Sequence, residues 1–163
     1  MNLYTTMVER LVSTLTTELG TLSWTPLVVE AGRWDPRILP EFERYYVKVS
    51  PPPRPWVERR ISTKEIQYLL RADIVLLVKN FSEEGALFGD NLPTAGVFQF
   101  VSDVKDVLRA TDLSGLLSRT YDETAGEVDV NTIGGFETGP RVWVHHARVP
   151  YTAAMEPFCF PPS

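Results

Sequence analysis

Apolar residues recur at every fourth position near the start of the chain. The positions in this row are Leu3, Met7, Leu11, Leu15 and Leu19. Because residues four apart lie on the same side of an α-helix, the spacing predicts an amphipathic helix over residues 3–19. Val8 and Val12 widen the apolar side, and Gly20 is suited to the end of the helix. The apolar side needs a cover, either a sheet of the same chain or a partner subunit.

A second row with helical spacing lies near residue 100. It consists of Val97, Val101, Val104 and Leu108, at intervals of four, three and four residues. This row predicts a helix that ends near Ala110, and Thr94 stands where it can cap the N-terminus. Phe98 and Phe100 flank the apolar row.

Several other segments are rich in β-branched and aromatic residues, which are typical of strands, and some also alternate apolar with polar positions. The predicted strands cover residues 26–32, 43–50, 62–80, 127–133 and 141–151. The segment 62–80 is the longest. Its residues 74–78 are all apolar, which predicts a central strand covered on at least one face.

Proline, glycine and polar residues mark the connections. Residues 51–56 (PPPRPW) contain four prolines, which predict a stiff extended loop. Residues 80–94 predict a polar loop, and residues 134–140 a turn or mobile loop. Residues 151–163 are predicted to form a proline-rich tail, which lacks regular structure from Met155 onward.

The order of these elements predicts the α+β class, with a mainly antiparallel sheet flanked by two main helices. Short connections between successive strands favour antiparallel pairing, and the helices are expected on one face of the sheet. A chain of 163 residues has the size of one domain, so residues 1–163 are predicted to form a single domain.

Composition and charge exclude some classes of function. The chain is 44% hydrophobic and 23% charged, as in folded globular proteins, and its net charge of −5 indicates no basic surface for nucleic acid. Its single cysteine, Cys159, predicts neither an internal disulfide nor a cysteine-based zinc site. The chain shows no signal-peptide pattern and no apolar run as long as a membrane span, so we expect a soluble protein.

The two histidines of the chain, His145 and His146, are adjacent in the last predicted strand. Successive side chains of a strand point to opposite faces, so the two imidazoles are expected to point apart. A regular strand cannot bring both to one metal ion. The pattern favours one histidine on a packed face and one on a wet face over a metal site or a catalytic pair.

No familiar catalytic or ligand-binding motif stands out in the sequence. It contains no GxGxxG, P-loop, HExxH or GxSxG pattern. The acidic segment 122–129 lacks the spacing of a calcium loop, and the cluster of charges at 58–60 is interpreted as solvated. We therefore predict that the protein is not an enzyme and uses no cofactor or metal.

The order of elements resembles that of the tail terminator proteins of long-tailed bacteriophages, which are also called minor tail or tail-completion proteins. The resemblance rests on the N-terminal helix, the apolar strand IQYLLRADIVLLVKN, the helix AGVFQFVSDVKDVLRA and the final strand RVWVHHARVPYTAAM. It covers nearly the whole chain, and it is one of pattern and length rather than of a diagnostic motif.

The resemblance implies a structural protein of the virion, made in the host cytoplasm. Six copies would form a ring on the end of the tail tube, stop its elongation and join the tail to the connector of the head. The implied partners are other copies of the chain, the tail tube protein and a connector or neck protein. DNA would pass through the bore without specific binding, which an acidic wall favours by repelling phosphate.

Four aromatic residues in predicted loops are candidates for contacts with subunits or with the tube: Trp56, Phe81, Phe88 and Phe136. Aromatic residues are enriched at the cores of interfaces. Three alternatives remain open at this point. The chain is another neck protein, such as a head-closure or connector subunit, or a small-ligand-binding α+β domain with an apolar pocket, or an enzyme that uses a histidine as a base.

Overall fold

The computed structural model describes residues 3–80, 88, 96–116, 129–136, 142–155 and 158–159. Two helices and seven strands occur in these residues: α1 (Leu3–Thr21), β1 (Leu27–Ala31), β2 (Tyr45–Ser50), β3 (Trp56–Arg60), β4 (Glu65–Asn80), α2 (Val97–Ala110), β5 (Asp129–Phe136), β6 (Val142–Ala154) and β7 (Phe158–Cys159). All seven strands belong to one sheet. Among the described pairings, β1 with β2 is parallel and the others are antiparallel. The predicted α+β fold is confirmed.

The 16-residue strand β4 is the centre of the sheet. On one side, β2 pairs with its C-terminal part, from Asp73 to Val78, and β3 pairs with its N-terminal part, from Ile66 to Leu70. On the other side, β6 pairs with the longer C-terminal part of β4, and β7 pairs with its first two residues. The outer strands β1 and β5 join β2 and β6 and complete the order β1-β2-β4-β6-β5.

Both helices cover the same face of the sheet. The side of α1 that the four-residue spacing predicts is buried at Met7, Leu11, Leu15 and Leu19. These residues pack with α2 and with alternate residues of β4, Ile74, Leu76 and Val78, in one core. The opposite residues of β4, Val75 and Leu77, are also buried, beneath a smaller cluster on the other face. Burial on both faces explains the uninterrupted apolar run at 74–78.

Trp24 joins three elements of the large core. Its ring stacks on Phe100 of α2 with centroids 4.4 Å apart, and it meets Tyr45 of β2 edge to face at 4.8 Å. Its Nε1 donates a hydrogen bond of 2.8 Å to Asp103 Oδ2. A buried indole N–H needs such a partner, so Asp103 anchors the turn after α1 to the second helix.

The connection between β1 and β2 covers part of the second face. Trp34 and Leu39 pack there with Phe42, Tyr46 and Val144 in the smaller cluster. The backbone N–H of Trp34 donates to Ser50 Oγ, and this bond attaches the connection to the C-terminal end of β2. The rest of this face, beyond the connection, carries polar side chains and is called the open face below.

Several details of the sequence-based prediction are wrong. Residues 56–60 form strand β3, so the predicted loop ends before Trp56, whereas the charged residues 58–60 are exposed to solvent as interpreted. Helix α2 begins at Val97 with Gly96 at its N-cap, so the cap position predicted at Thr94, which lies outside the described residues, is two residues too early. Strand β5 continues through Gly134 and Gly135 to Phe136, with a register shift between Thr132 and Gly134, so the predicted turn at 134–140 begins too early.

The predicted tail also begins too early and contains a strand. Strand β6 extends to Ala154, so residues 151–154 belong to the sheet. Phe158 and Cys159 form β7 and pair with Ile66 and Glu65 of β4. These short segments have no period of their own, and they become strands because β4 offers unpaired backbone groups beside them.

Leu76 lies at the centre of the sheet and is fully buried in the large core beneath the two helices. We expect Leu76→Ala to lower the free energy of unfolding by about 2–5 kcal/mol, because a cavity remains where the side chain was. Urea unfolding measures this change. Ile38→Ala, at an exposed position, is the control and should change the value by less than about 0.5 kcal/mol. Equal effects of the two substitutions would contradict the assignment of the core.

Candidate assembly surface

Strand β3 and the first residues of β4 form a hairpin in which β3 is the exposed strand. Four of the five residues of β3 are exposed, and the turn Ile61–Lys64 is exposed as well. The turn is closed by the Ile61 and Ser62 N–H groups, which both donate to the carbonyl of Glu65. The hairpin therefore presents backbone and side chains to solvent over much of its length.

Trp56 is the aromatic anchor of this hairpin. Its side chain is 53% exposed, and its ring lies 5.9 Å from that of Tyr4 at the start of α1. Burial and the negative charge of Asp73 raise the pKa of the Tyr4 hydroxyl to about 12. The tyrosine is therefore neutral across the physiological range, and the two rings form a half-covered apolar patch. The role of Trp56 as a contact with a subunit or the tube stays a prediction.

Phe88 and Phe98 form a second exposed aromatic pair. Phe88 is 71% exposed, and its ring centroid lies 5.4 Å from that of Phe98, which is exposed at the start of α2. Large apolar side chains that remain in water next to one another are typical of interaction sites. Phe98 was seen in the sequence only as a neighbour of the helical row, and its position off the buried side was the signal that could have identified it.

The two other candidate residues are Phe81 and Phe136. Phe81 lies outside the described residues. Phe136 ends strand β5, where its backbone pairs with Val142 at the edge of the sheet. That edge is far from the β3 hairpin in the strand order, because β6 and β4 lie between them. Of the candidates that the structure describes, Trp56 and Phe136 therefore lie at different sites.

The open face carries a polar group centred on Asp73. Arg148 Nη1 lies 3.8 Å from Asp73 Oδ2, and Arg71 lies two residues before Asp73 on the same face of β4. Burial raises the pKa of the Asp73 carboxyl, and the positive charge of Arg148 only partly opposes that shift. Arg71 makes no side-chain ion pair with any residue in the part of the chain that the structure describes.

A cleft of about 410 Å³ lies along this group, with Pro52, Arg71, Asp73, Pro150 and Thr152 in its lining. A second cleft of about 400 Å³ lies between the helices, with Glu18 and Asp112 in its lining. Both clefts are partly open to solvent, and neither of the two lies between the helices and the sheet, where the ligand-binding alternative expects an apolar pocket.

The two histidines point to opposite faces, as predicted. His145 is 2% exposed on the side of the helices. His146 lies on the other face, where its ring stacks on Trp34 with centroids 5.8 Å apart and an interplanar angle of 14°. The two imidazoles therefore cannot act on one substrate or hold one metal ion together. Across residues 3–80 and the other described ranges, no group of three metal-ligating side chains is present.

Comparisons with known proteins add no assignment. No protein family matches the sequence, and no curated protein is similar to it. Within the described residues, neither helix is both long and apolar enough to cross a membrane.

The raised pKa of Asp73 predicts a dependence of stability on pH. A carboxyl whose pKa is higher in the folded than in the unfolded chain holds its proton longer when folded, so its contribution to stability falls as pH rises through the folded pKa. Asp73→Asn should remove this fall. The measurement is urea unfolding of both proteins from the ordinary aspartate pKa upward. Parallel stability curves for the two proteins would contradict the pKa shift.

Proposed function

We propose that the protein is a tail terminator of a long-tailed bacteriophage. In this function, copies of the chain form a six-membered ring at the end of the tail tube, stop tube elongation and join the tail to the connector of the head. The protein acts by assembly and not by catalysis. Its place is the neck of the virion, and DNA passes through the ring without specific binding.

The main support is the order and layout of the elements. An N-terminal amphipathic helix, a long central strand, a second helix and a final strand occur in the order on which the resemblance to terminators rests. Both helices cover one face of the sheet. A head-closure or connector subunit remains the second candidate, since it shares the requirement for exposed contact surfaces.

The exposed phenylalanine pair gives the proposal a surface to test. Phe88 and Phe98 offer adjacent apolar rings that a partner subunit or the tube can cover. Covering such rings removes apolar area from water, and this is the usual source of interface stability. The helices pack on the sheet through the large core, which does not include Phe88 or Phe98. The pair therefore contributes little to the stability of the fold.

The direct test is a capping experiment with purified tail tubes. Negative-stain images of tubes mixed with the protein should show a ring with a central hole at one end of each tube. Further tube protein should then fail to elongate those ends. Binding to isolated connectors, without binding to tube ends, would instead support the head-closure alternative. Binding to neither the tube ends nor the connectors would overturn the proposal.

Phe88→Asp should abolish capping, because it places a charge in the apolar contact. The free energy of unfolding should change by less than about 0.5 kcal/mol, since the side chain is mostly exposed. Leu22→Asp is the matched control, because Leu22 is also an exposed apolar residue and lies elsewhere, after α1. The control should cap tubes normally. Loss of capping in both variants would show that any added charge interferes and would remove the specific role of Phe88.

A further inference from the structure

Two strand edges on the same side of the sheet have no described partner. Strand β2 lies beside the C-terminal part of β4 and carries β1 outside it, whereas β3 lies beside the N-terminal part of β4. Within the described residues, no strand pairs with the outer edge of β1 or of β3. This side of the sheet therefore has the outline of a step, one strand wide at β3 and two strands wide at β1 and β2.

The outward backbone groups of β3 follow from its bonds to β4. The Ile61 N–H donates to the Glu65 carbonyl, and the Arg71 N–H donates to the Pro55 carbonyl. Odd-numbered residues of this strand therefore direct their backbone groups toward β4. The N–H and C=O groups of Trp56, Glu58 and Arg60 point away from the sheet.

The same reasoning applies to β1. The Gly32 N–H donates to the Val49 carbonyl, and the Pro26 carbonyl accepts from the Tyr45 N–H, so even-numbered residues bond to β2. The backbone groups of Leu27, Val29 and Ala31 point outward. Unpaired edge groups of this kind are a template for another strand.

We propose that these two edges bind each other between two copies of the chain. Strand β3 of one copy adds in antiparallel fashion to β1 of a second copy, and β1 of the first adds to β3 of the second. The stepped outline makes this possible, because rotation by 180° about an axis normal to the sheet fits each step into the other. Each interface repeats the other, as a closed two-fold pair requires.

Several registers between β3 of one copy and β1 of the second place the helix faces of both sheets on the same side. The side chains favour one of these registers. With Glu58 opposite Ala31 and Arg60 opposite Val29 of the second copy, Arg59 lies opposite Glu30 on the open face. Ile61 then lies opposite Val28, and both of these apolar side chains are exposed in the single chain, at 47% and 38%. Opposite charges and paired apolar residues both stabilise neighbouring strands.

A shift of two residues in either direction removes these pairs. One shift places Arg59 opposite Val28 and Val57 opposite Glu30, and the other places Ile61 opposite Glu30. Charge and apolar complementarity therefore point to a second copy of this chain as the occupant of the edge. The pair stands independently of the proposed tail function, since it describes the free protein before any tube is present. A closed pair does not itself build a ring, so ring contacts would use other surfaces.

A designed disulfide tests the register directly. Val28→Cys with Ile61→Cys, in a Cys159→Ser background, places two cysteines opposite each other across the pair. Their Cα atoms would be about 4.5 Å apart, within disulfide range. Within one chain the two positions are separated by about twelve residues along β4, or roughly 40 Å, so a bridge can form only between copies.

Mild oxidation should convert most of this variant to a covalent dimer on a non-reducing gel. The matched control pairs Val28→Cys with Val57→Cys, which the register places four residues out of position, and it should remain mostly monomeric. Equal cross-linking of the two variants would overturn the register, and no cross-linking would overturn the pair.

A proline substitution tests the edge bonds without new cysteines. Glu58→Pro removes one outward N–H and leaves the bonds of β3 to β4 intact, because residue 58 does not donate to β4. It should raise the dimer Kd by at least about tenfold, since two symmetric hydrogen bonds are lost. Glu58→Ala keeps the N–H and should leave the Kd nearly unchanged.

Sedimentation of the free chains measures both values, and urea unfolding verifies that both variants fold. A monomeric unaltered chain at all concentrations, or equal effects of proline and alanine, would overturn the proposal. The capping experiment with tubes is separate, so a failure of either proposal leaves the other open to its own test.

Discussion

The requirement that buried backbone groups be hydrogen-bonded determines the architecture of this protein through one strand. Strand β4 is buried over much of its length, so its N–H and C=O groups need partners on both sides. No single strand of ordinary length can supply them. The protein meets the need with two strands on each side, β2 and β3 on one and β6 and β7 on the other.

This arrangement also explains the stepped edge. Because β2 and β3 share one side of β4, the strand β1 can extend the sheet beside β2 only, and β3 remains at an edge. Natural proteins usually protect such edges with charge, proline or a short length. Here β3 is short, follows the prolines of residues 51–55 and carries Arg59 and Arg60. These features disfavour non-specific pairing with other strands. They still permit pairing with a strand that carries complementary charges.

The two faces of the sheet have different roles. The helix face contains the large core, in which Trp24 joins α2 and β2 through ring contacts and a hydrogen bond to Asp103. The open face is only partly covered, by the connection that contains Trp34, and it displays Arg71, Asp73 and Arg148. The surfaces available for assembly are therefore the open face, the edge strands and the exposed aromatic pairs at Trp56 and Phe88. The proposed assembly with several partners would need such separate surfaces.

Local periodicity in the sequence was sufficient to predict both helices, most strands, the opposite orientation of the two histidines and the α+β class. These features follow from side-chain spacing within one segment, which the sequence displays directly. The strands β3 and β7 escaped prediction because their own residues lack a clear period. Only the tertiary structure decided them, since a short segment becomes a strand when β4 lies beside it with unpaired groups. For the candidate surface, the sequence determined that Trp56 and Phe88 are aromatic, and only the packing of the whole fold decided that both remain exposed.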